Sequence, residues 1–289
     1  MARAVRHGLL AGVLLLCACA TGHEDGGSRS ELLAAASRAG MRQSVHVTPA
    51  GPVRSFSRGL AGASHVDVYL EGDGRAWHSR RRVSHDPTPR RPLALALALR
   101  DPASAVLYLG RPCQYASAAE LAACEPRYWT AERYGEAVVA ALDGVLDTLL
   151  APLASATPTL GLTGYSGGAV IATLLAARRD DVAWVVSVAG NLDPAAWTAH
   201  HGVSALSGLD PVAFAPRLAG TPQAVLLGGD DRIVAPSLVA RYLAAADGAM
   251  VEVVDGFDHR CCWVRAWPHL PCEALRRVGV DAPVLCTAP

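Results

Sequence analysis

The chain has 289 residues, and 51% of them are hydrophobic, so it is long enough to bury the core of one α/β domain. Its 26 basic and 26 acidic residues balance and the basic residues form no long stripe, which argues against a nucleic-acid partner. Every basic residue is an arginine, which we attribute to a GC-rich genome rather than to a binding role.

The N-terminus has the pattern of an export signal. Two arginines precede an apolar run at residues 9–16, which is too short to span a membrane as a mature helix. Leu16, Ala18 and Cys19 resemble the end of a bacterial lipoprotein signal, in which the cysteine receives the lipid. We therefore expect residues 1–18 to be a lipoprotein signal peptide and Cys19 to anchor the protein to a membrane.

The predicted location is the cell envelope, as an outer-membrane lipoprotein. Ala20 stands where an aspartate would resemble an inner-membrane retention signal. The alternative is an ordinary cleaved signal peptide with a secreted or periplasmic product. Residues 19–44 are expected to form a tether with weak signals for local structure, and residues 45–289 the folded domain.

Six cysteines follow Cys19, and an even number in an exported chain predicts disulfides. These cysteines are Cys113, Cys124, Cys261, Cys262, Cys272 and Cys286. A disulfide between Cys113 and Cys124 would close a short loop. The C-terminal four could pair among themselves, and the adjacent Cys261 and Cys262 are expected to have different partners. A zinc site is the alternative, but the spacing fits no common ligand pattern, so we expect no metal and no cofactor.

Strands and helices alternate along the domain. Strands are predicted at residues 45–47, 65–70, 105–109, 160–166, 182–188, 224–227 and 251–254. Helices are predicted at residues 31–42, 92–99, 130–150, 168–178 and 237–245. This order predicts an α/β fold with a mostly parallel central sheet and helices on both faces. The stretch at residues 191–218, where a cap would lie, is short and predicts a short or absent cap.

The pattern Gly164-Tyr165-Ser166-Gly167-Gly168 lies where a predicted strand meets a predicted helix. A sharp strand-to-helix turn can expose a nucleophilic serine, and it needs small residues two positions away on either side. The carboxyl ends of parallel strands are also where catalytic groups gather in such sheets. The pattern therefore predicts that Ser166 is a nucleophile.

Two later strand ends supply an acid and a base for this serine, whose hydroxyl needs a base that an acid holds in one tautomer. Asp231 is the predicted acid, with Asp230 or Asp258 as the alternatives. His259 is the predicted base, with His269 as the alternative. The chain order of serine, aspartate and histidine is that of the α/β-hydrolase fold.

From residue 66 to residue 259 the chain resembles the α/β-hydrolases, and among them exported bacterial members with a lipoprotein signal. Residues 231–234 resemble the acid turn of that family and residues 256–259 its histidine turn, while the serine turn is the strongest match. The resemblance implies acyl transfer on a small-molecule or lipid-like ester by a carboxylesterase or lipase-like enzyme. A peptidase or amidase with the same triad is one alternative, and a non-catalytic envelope binding lipoprotein is the other.

The segment Glu71-Gly72-Asp73-Gly74 resembles the oxyanion loop of this family, which usually begins with His-Gly. Glu71 therefore departs from the pattern. Because backbone N–H groups hold the oxyanion, the resemblance implies one donor at Gly167 and a second at either Asp73 or Gly74.

Some aromatic and basic residues have two interpretations. Four aromatic residues could belong to a pocket or to the core, namely Trp77, Tyr115, Trp129 and Tyr165. Residues 80–82 and the pair Arg90 and Arg91 predict a solvated face, with phosphate headgroups as the alternative partner.

Overall fold

A computed structural model describes residues 26–79, 81–153, 158–280 and 286. The predicted lipoprotein signal at residues 1–18 and the predicted lipid-bearing Cys19 lie outside these residues. Within the described part of the chain, no helix is long and apolar enough to cross a membrane.

The strands form one large sheet and one small hairpin. They are β1 Arg42–His46, β2 Val53–Arg58, β3 His65–Leu70, β4 Trp77–Ser79, β5 Arg82–Val83, β6 Val106–Leu109, β7 Thr159–Tyr165, β8 Val182–Val188, β9 Gln223–Gly228 and β10 Met250–Val254. Eight strands pair in the order β1-β2-β6-β3-β7-β8-β9-β10, and β4 pairs with β5 alone. Strand β2 runs antiparallel to β1 and β6, whereas the pairs from β6 to β10 are parallel. The predicted mostly parallel sheet is confirmed.

Helices cover both faces of this sheet. They are α1 Arg29–Arg38, α2 Leu93–Arg100, α3 Ala118–Ala122, α4 Glu136–Leu150, α5 Gly167–Ala176, α6 Pro194–His201, α7 Pro211–Phe214, α8 Ala240–Ala245, α9 Trp263–Ala266 and α10 His269–Arg277, with 3₁₀ segments at Pro126–Trp129, Ala151–Leu153, Ala215–Leu218 and Pro236–Val239. Between β8 and β9 the chain holds only α6, α7 and one 3₁₀ segment, in agreement with the predicted short cap.

Two apolar cores lie on opposite sides of the sheet, because successive side chains of a strand point to opposite faces. In β3, Val66 and Val68 pack with α4 and α5, whereas Tyr69 packs with α2 and α10. A sheet that is buried on both faces leaves its strand ends as the place for polar groups. The site described below lies at the carboxyl ends of β3, β7, β9 and β10.

Strand β2 is absent from the sequence prediction because its apolar residues, Val53 and Phe56, lie three positions apart and so lack the two-residue period of a strand. Its Arg54 is nevertheless buried. The Arg54 guanidinium donates to Glu120 Oε2 at 2.6 Å and to the Tyr115 carbonyl at 3.3 Å. These bonds stabilise the buried guanidinium of Arg54, a residue that the local sequence alone would place on the surface.

The predicted helix at residues 130–150 begins six residues late, because α4 starts at Glu136 after the cap residue Gly135. The expected cap Thr130 instead follows a 3₁₀ segment, and its hydroxyl donates to the Pro126 carbonyl at 2.7 Å. The residues between that segment and α4 form a turn that contributes to the site.

The described part of the predicted tether at residues 19–44 is folded, since it contains α1 and the start of β1. Helix α1 begins with a capping box in which Ser28 and Glu31 bond to each other's backbone N–H groups. Leu32 and Ala36 are buried in the core that also contains α2. These contacts attach the segment to the domain.

The six predicted disulfide cysteines form three bonds. Cys113 is bonded to Cys124, and Cys272 to Cys286. The expectation that Cys261 and Cys262 have different partners is wrong, because they are bonded to each other. With Cys272 and Cys286 joined, the two adjacent cysteines are left as each other's partners. Among the described residues, no group of three His, Cys, Asp or Glu residues could hold a metal ion.

Gly161 in β7 lies directly under the ring of the buried Trp184 in β8. A Cβ atom on Gly161 would lie 2.0 Å from the Trp184 ring. We predict that Gly161→Ala lowers the free energy of unfolding by about 1–3 kcal/mol, because the ring must move within a packed core. Urea denaturation followed by circular dichroism measures this change.

Gly144 provides the matched control, because a Cβ atom there has nothing within 4 Å and the residue is exposed in α4. Gly144→Ala is expected to raise the free energy of unfolding by about 0.5–1 kcal/mol. Equal losses in the two variants would contradict the packing argument.

Candidate active site

Ser166 lies at a sharp turn between β7 and α5. Its backbone has φ 51° and ψ −120°, in the left-handed half of the map that a non-glycine residue rarely adopts. A Cβ atom on Gly164 would lie 2.4 Å from Ala169 Cα, and one on Gly168 would lie 2.1 Å from the Leu70 carbonyl oxygen. The small residues expected on either side of the serine are therefore required by close backbone contacts.

Ser166, His259 and Asp231 form one hydrogen-bonded chain. The distance from Ser166 Oγ to His259 Nε2 is 3.0 Å, and the distance from His259 Nδ1 to Asp231 Oδ2 is 2.8 Å. An ionised carboxylate can only accept, so His259 donates from Nδ1 and its Nε2 accepts the serine proton. The arrangement has the geometry of a serine nucleophile with its base and acid.

Asp231 is held in place by backbone groups. It is buried, and its Oδ1 accepts hydrogen bonds from the N–H groups of Ile233 and Val234, both at 2.8 Å. The other oxygen, Oδ2, faces His259. Two bonds to one oxygen fix the carboxylate and leave the second oxygen for the histidine.

The alternative acid and base residues lie elsewhere. Asp230 and His269 are exposed, and no hydrogen bond of the described residues joins either to Ser166. Asp258 accepts from the N–H groups of Arg260 and Cys261, both at 2.7 Å. Asp258 thus shapes the loop that carries the histidine.

The serine turn also contacts the histidine loop directly. The hydroxyl of Tyr165, the residue before the serine, donates to the His259 carbonyl at 3.0 Å. The rings of Tyr165 and His259 lie 5.4 Å apart. Tyr165 therefore fixes the position of the His259 backbone relative to Ser166.

Asp73, in the predicted oxyanion loop, connects that loop to the serine turn. Its Oδ2 accepts from Arg133 at 3.0 Å and from the Tyr134 hydroxyl at 2.8 Å, and its Oδ1 accepts from Arg111 at 3.2 Å. A Cβ atom on Gly167 would lie 2.0 Å from Asp73 Oδ1, so the carboxylate lies against the backbone beside the serine. Burial acts to raise the pKa of Asp73, but the guanidinium groups outweigh it and the pKa is lowered.

Arg111, Arg133 and Tyr134 have no role in the sequence analysis. Arg111 follows β6 at the carboxyl end of the sheet, which is the one signal that could have pointed to it. Its guanidinium donates to the carbonyls of Gly167 and Arg133 as well as to Asp73. Arg133 and Tyr134 lie in the turn that was predicted to be helix, and only the tertiary fold brings them to the loop.

Glu71 occupies the position where the family pattern has histidine. Its side chain is buried, with Oε1 accepting from the Gly72 N–H at 2.9 Å and Oε2 from the Tyr108 hydroxyl at 3.0 Å. Burial raises the pKa of Glu71 to about 7, against the lowering effect of these hydrogen bonds. Tyr108 in turn contacts Tyr115, whose hydroxyl lies 2.8 Å away. Glu71 is thus an internal support of the loop.

A cavity of about 680 Å³ opens over Ser166 and His259. Trp77 and Tyr165, two of the four uncertain aromatic residues, lie in its wall, and Trp197 of α6 joins them. The other two belong to the interior: Tyr115 bonds with Tyr108, and Trp129 is buried with its indole N–H on a backbone carbonyl. Residues 90 and 91, predicted as a solvated face, are exposed but also line this cavity.

The described sheet, helices and serine turn form the α/β-hydrolase fold. No protein-family model and no curated protein sequence matches this chain. Among solved structures, the chain is similar to an α/β serine hydrolase homologue from Coxiella burnetii, with a TM-score of 0.55 and 15% identity over 82% of this chain and 96% of that one. It is also similar to an esterase from Pyrococcus furiosus, with a TM-score of 0.54 and 13% identity over 83% and 88%.

A third similar structure is the acylaminoacyl peptidase of Pyrococcus horikoshii, with a TM-score of 0.56 and 13% identity over 82% of this chain and 39% of that one. These neighbours are serine hydrolases that include both esterases and peptidases. At such low identity the likeness establishes the shared fold.

The raised pKa of Glu71 predicts that stability depends on pH. Its pKa of about 7 lies above the ordinary value of 4.5, so between these pH values the folded protein keeps a proton that the unfolded chain releases. Stability therefore falls as pH rises through this window. We predict that Glu71→Gln removes this pH dependence. The free energy of unfolding of the variant minus that of the parent protein should therefore rise by about 2–3 kcal/mol as the pH is raised from about 5 to about 8.

Urea denaturation at several pH values measures this difference. Glu136→Gln is the control, because Glu136 is exposed and paired with Arg178, which lowers its pKa away from the window. Its difference from the parent protein should stay constant from about pH 5 to pH 8. A constant difference for Glu71→Gln as well would contradict the prediction.

Proposed function

We propose that this protein is a serine hydrolase that cleaves an ester through an acyl-enzyme intermediate. The observation that carries the proposal is the hydrogen-bonded chain of Ser166, His259 and Asp231, with distances of 3.0 and 2.8 Å. The strained backbone of Ser166 and the cavity above it support the same assignment.

In the proposed reaction, Ser166 Oγ attacks the ester carbonyl carbon while His259 Nε2 takes the hydroxyl proton. Asp231 stabilises the resulting imidazolium through Nδ1. The bond between the carbonyl carbon and the alkoxy oxygen then breaks, and His259 gives the proton to the leaving alcohol. A water molecule attacks the acyl-enzyme by the same steps and releases the acid.

Two backbone N–H groups are proposed to hold the oxyanion. Gly167 is the first residue of α5, so its N–H has no partner within the helix and lies at the positive end of the helix dipole. For the second donor we choose Asp73 over Gly74. The Asp73 side chain lies against Gly167 and shares the Arg111 guanidinium with the Gly167 carbonyl, which holds this residue beside the serine turn.

The lipid anchor at Cys19 and the outer-membrane location also belong to this proposal. They rest on the sequence of the N-terminus. Mass spectrometry of the protein purified from membranes would detect a diacylglycerol-modified cysteine, and an unmodified soluble product would favour the secreted alternative.

Ser166→Ala should abolish labelling by a fluorophosphonate probe and lower kcat on an ester by about 10³- to 10⁶-fold, because no other group replaces the nucleophile. Ser204→Ala is the control, since Ser204 is exposed and lies outside the cavity wall. Labelling that survives Ser166→Ala would remove this serine from the mechanism. A parent protein that neither reacts nor hydrolyses any ester would favour a binding lipoprotein.

The same assay, run on a graded panel of esters and matching amides, separates an esterase from a peptidase or amidase. We expect kcat/KM to be higher on the esters. Higher kcat/KM on the amides would replace the esterase proposal with the amidase alternative.

Asp73→Asn should lower kcat by about 10- to 10³-fold, because the loop that offers the second oxyanion donor loses its ionic attachment to the serine turn. Rates are normalised to the number of sites that the fluorophosphonate labels, so that unfolded protein is not counted. Asp247→Asn, at an exposed residue outside the cavity wall, should keep the parent kcat. An unchanged kcat per labelled site in Asp73→Asn would reduce the role of Asp73 to stability.

A further inference from the structure

The wall of the cavity carries an excess of positive charge. The residues of its wall that bear a carboxyl or guanidinium group are Glu71, Asp73, Arg75, Arg90, Arg91, Arg133 and Arg260. Five guanidinium groups thus face two carboxyl groups.

Neither carboxyl group is available to neutralise the arginines at the mouth of the cavity. Asp73 already accepts from Arg111, Arg133 and Tyr134. Glu71 is buried and bonded to Gly72 and Tyr108, and its raised pKa makes it partly neutral near pH 7. Neither carboxyl group therefore pairs with Arg75, Arg90 or Arg260.

Three of these arginines, Arg75, Arg90 and Arg260, are here called the rim arginines. Among the described residues, none of the three forms an ion pair with a carboxylate. The nearest side-chain partner of Arg75 is a ring nitrogen of His78 at 2.5 Å. By contrast, the single side chain of Arg179, elsewhere in the chain, pairs with three aspartates.

The positive potential acts on neighbouring groups. The pKa of the exposed His78 is lowered, chiefly by the charge of Arg82, and Arg75 and Arg90 add to the effect. The rim arginines belong to three separate segments that meet only in the fold. Arg75 follows the oxyanion loop, Arg90 precedes α2, and Arg260 comes directly after the histidine.

Apolar side chains also line the mouth of the cavity. Trp77 is 45% exposed and Ile233 is 49% exposed, and both line the cavity with Trp197. Such surfaces suit the hydrocarbon part of an ester. The cavity therefore offers a candidate nucleophilic serine, apolar side chains and three guanidinium groups that pair with no carboxylate of the described residues.

We propose that the ester substrate carries an anionic oxyacid group, a carboxylate or a phosphate, that binds the rim arginines while its ester carbonyl lies at Ser166. Guanidinium groups bind both anions through paired hydrogen bonds, and three of them from different segments would surround the group. This inference rests on the proposed hydrolase function and specifies its substrate class.

The test compares p-nitrophenyl esters that share one acyl chain and differ only at its far end. The neutral ester is methyl p-nitrophenyl adipate, the carboxylate ester is p-nitrophenyl hydrogen adipate, and the phosphate analogue is p-nitrophenyl 5-phosphonopentanoate. We expect the purified full-length protein to show a kcat/KM on at least one anionic ester about 10-fold or more above that on the neutral ester. The two anionic esters distinguish the carboxylate from the phosphate.

The variant Arg75→Gln/Arg90→Gln/Arg260→Gln should bring the ratio of anionic to neutral kcat/KM close to one, mainly through a higher KM for the anionic ester. The control variant Arg38→Gln/Arg42→Gln/Arg276→Gln removes the same charge at exposed positions outside the cavity wall. It should keep the parent ratio, which separates a local contact from the overall charge of the protein.

A parent ratio near one for both anionic esters, or equal ratios in the two triple variants, would overturn the inference. Either result would leave the hydrolase proposal intact, because all three esters would still be cleaved and Ser166 would still react with the fluorophosphonate. If the parent protein cleaves none of the esters and does not react, the proposed function itself fails.

Discussion

The backbone conformation of Ser166 is the constraint on which the site depends. A non-glycine residue at φ 51° is held there only because its surroundings leave no alternative, and close contacts of Gly164 and Gly168 supply that packing. The contact of Gly168 with the Leu70 carbonyl brings the end of β3 against the start of α5. The same turn therefore exposes the hydroxyl and positions the loop after β3 beside it.

Two aspartates lie close to this serine, and their surroundings give them opposite roles. Asp231 is held by neutral backbone N–H groups, so its charge remains available to the imidazolium of His259. Asp73 is paired with Arg111 and Arg133, so its charge is compensated where an oxyanion would form. An uncompensated carboxylate at Asp73 would repel that oxyanion. The two arginines therefore neutralise the charge of Asp73 as well as hold the loop in place.

The sequence predicted the parts of this molecule that follow from local pattern. Buried parallel strands are continuous apolar runs, so β8 could be predicted from the sequence alone. The order of serine, aspartate and histidine could also be predicted, because each residue follows a recognisable strand end. Strand β2 could not, because its Arg54 is buried through a salt bridge with Glu120, which is distant in sequence. The turn before α4 was missed for the same reason, since Arg133 leaves the helical pattern to reach a carboxylate sixty residues earlier.

The distribution of carboxylates explains why the cavity is positive in a chain with no net charge. Acidic residues elsewhere pair with arginines, as Asp143 and Asp147 do with Arg179, while Asp73, which lies against the serine turn, is bonded within the loop network. Among the described residues, no carboxylate pairs with the rim arginines at the mouth of the cavity over Ser166. Guanidinium charge in a concave site attracts anions and also favours the negative charge that develops during acyl transfer. One arrangement of charge would then serve both the capture of an anionic ester and the stabilisation of its transition state.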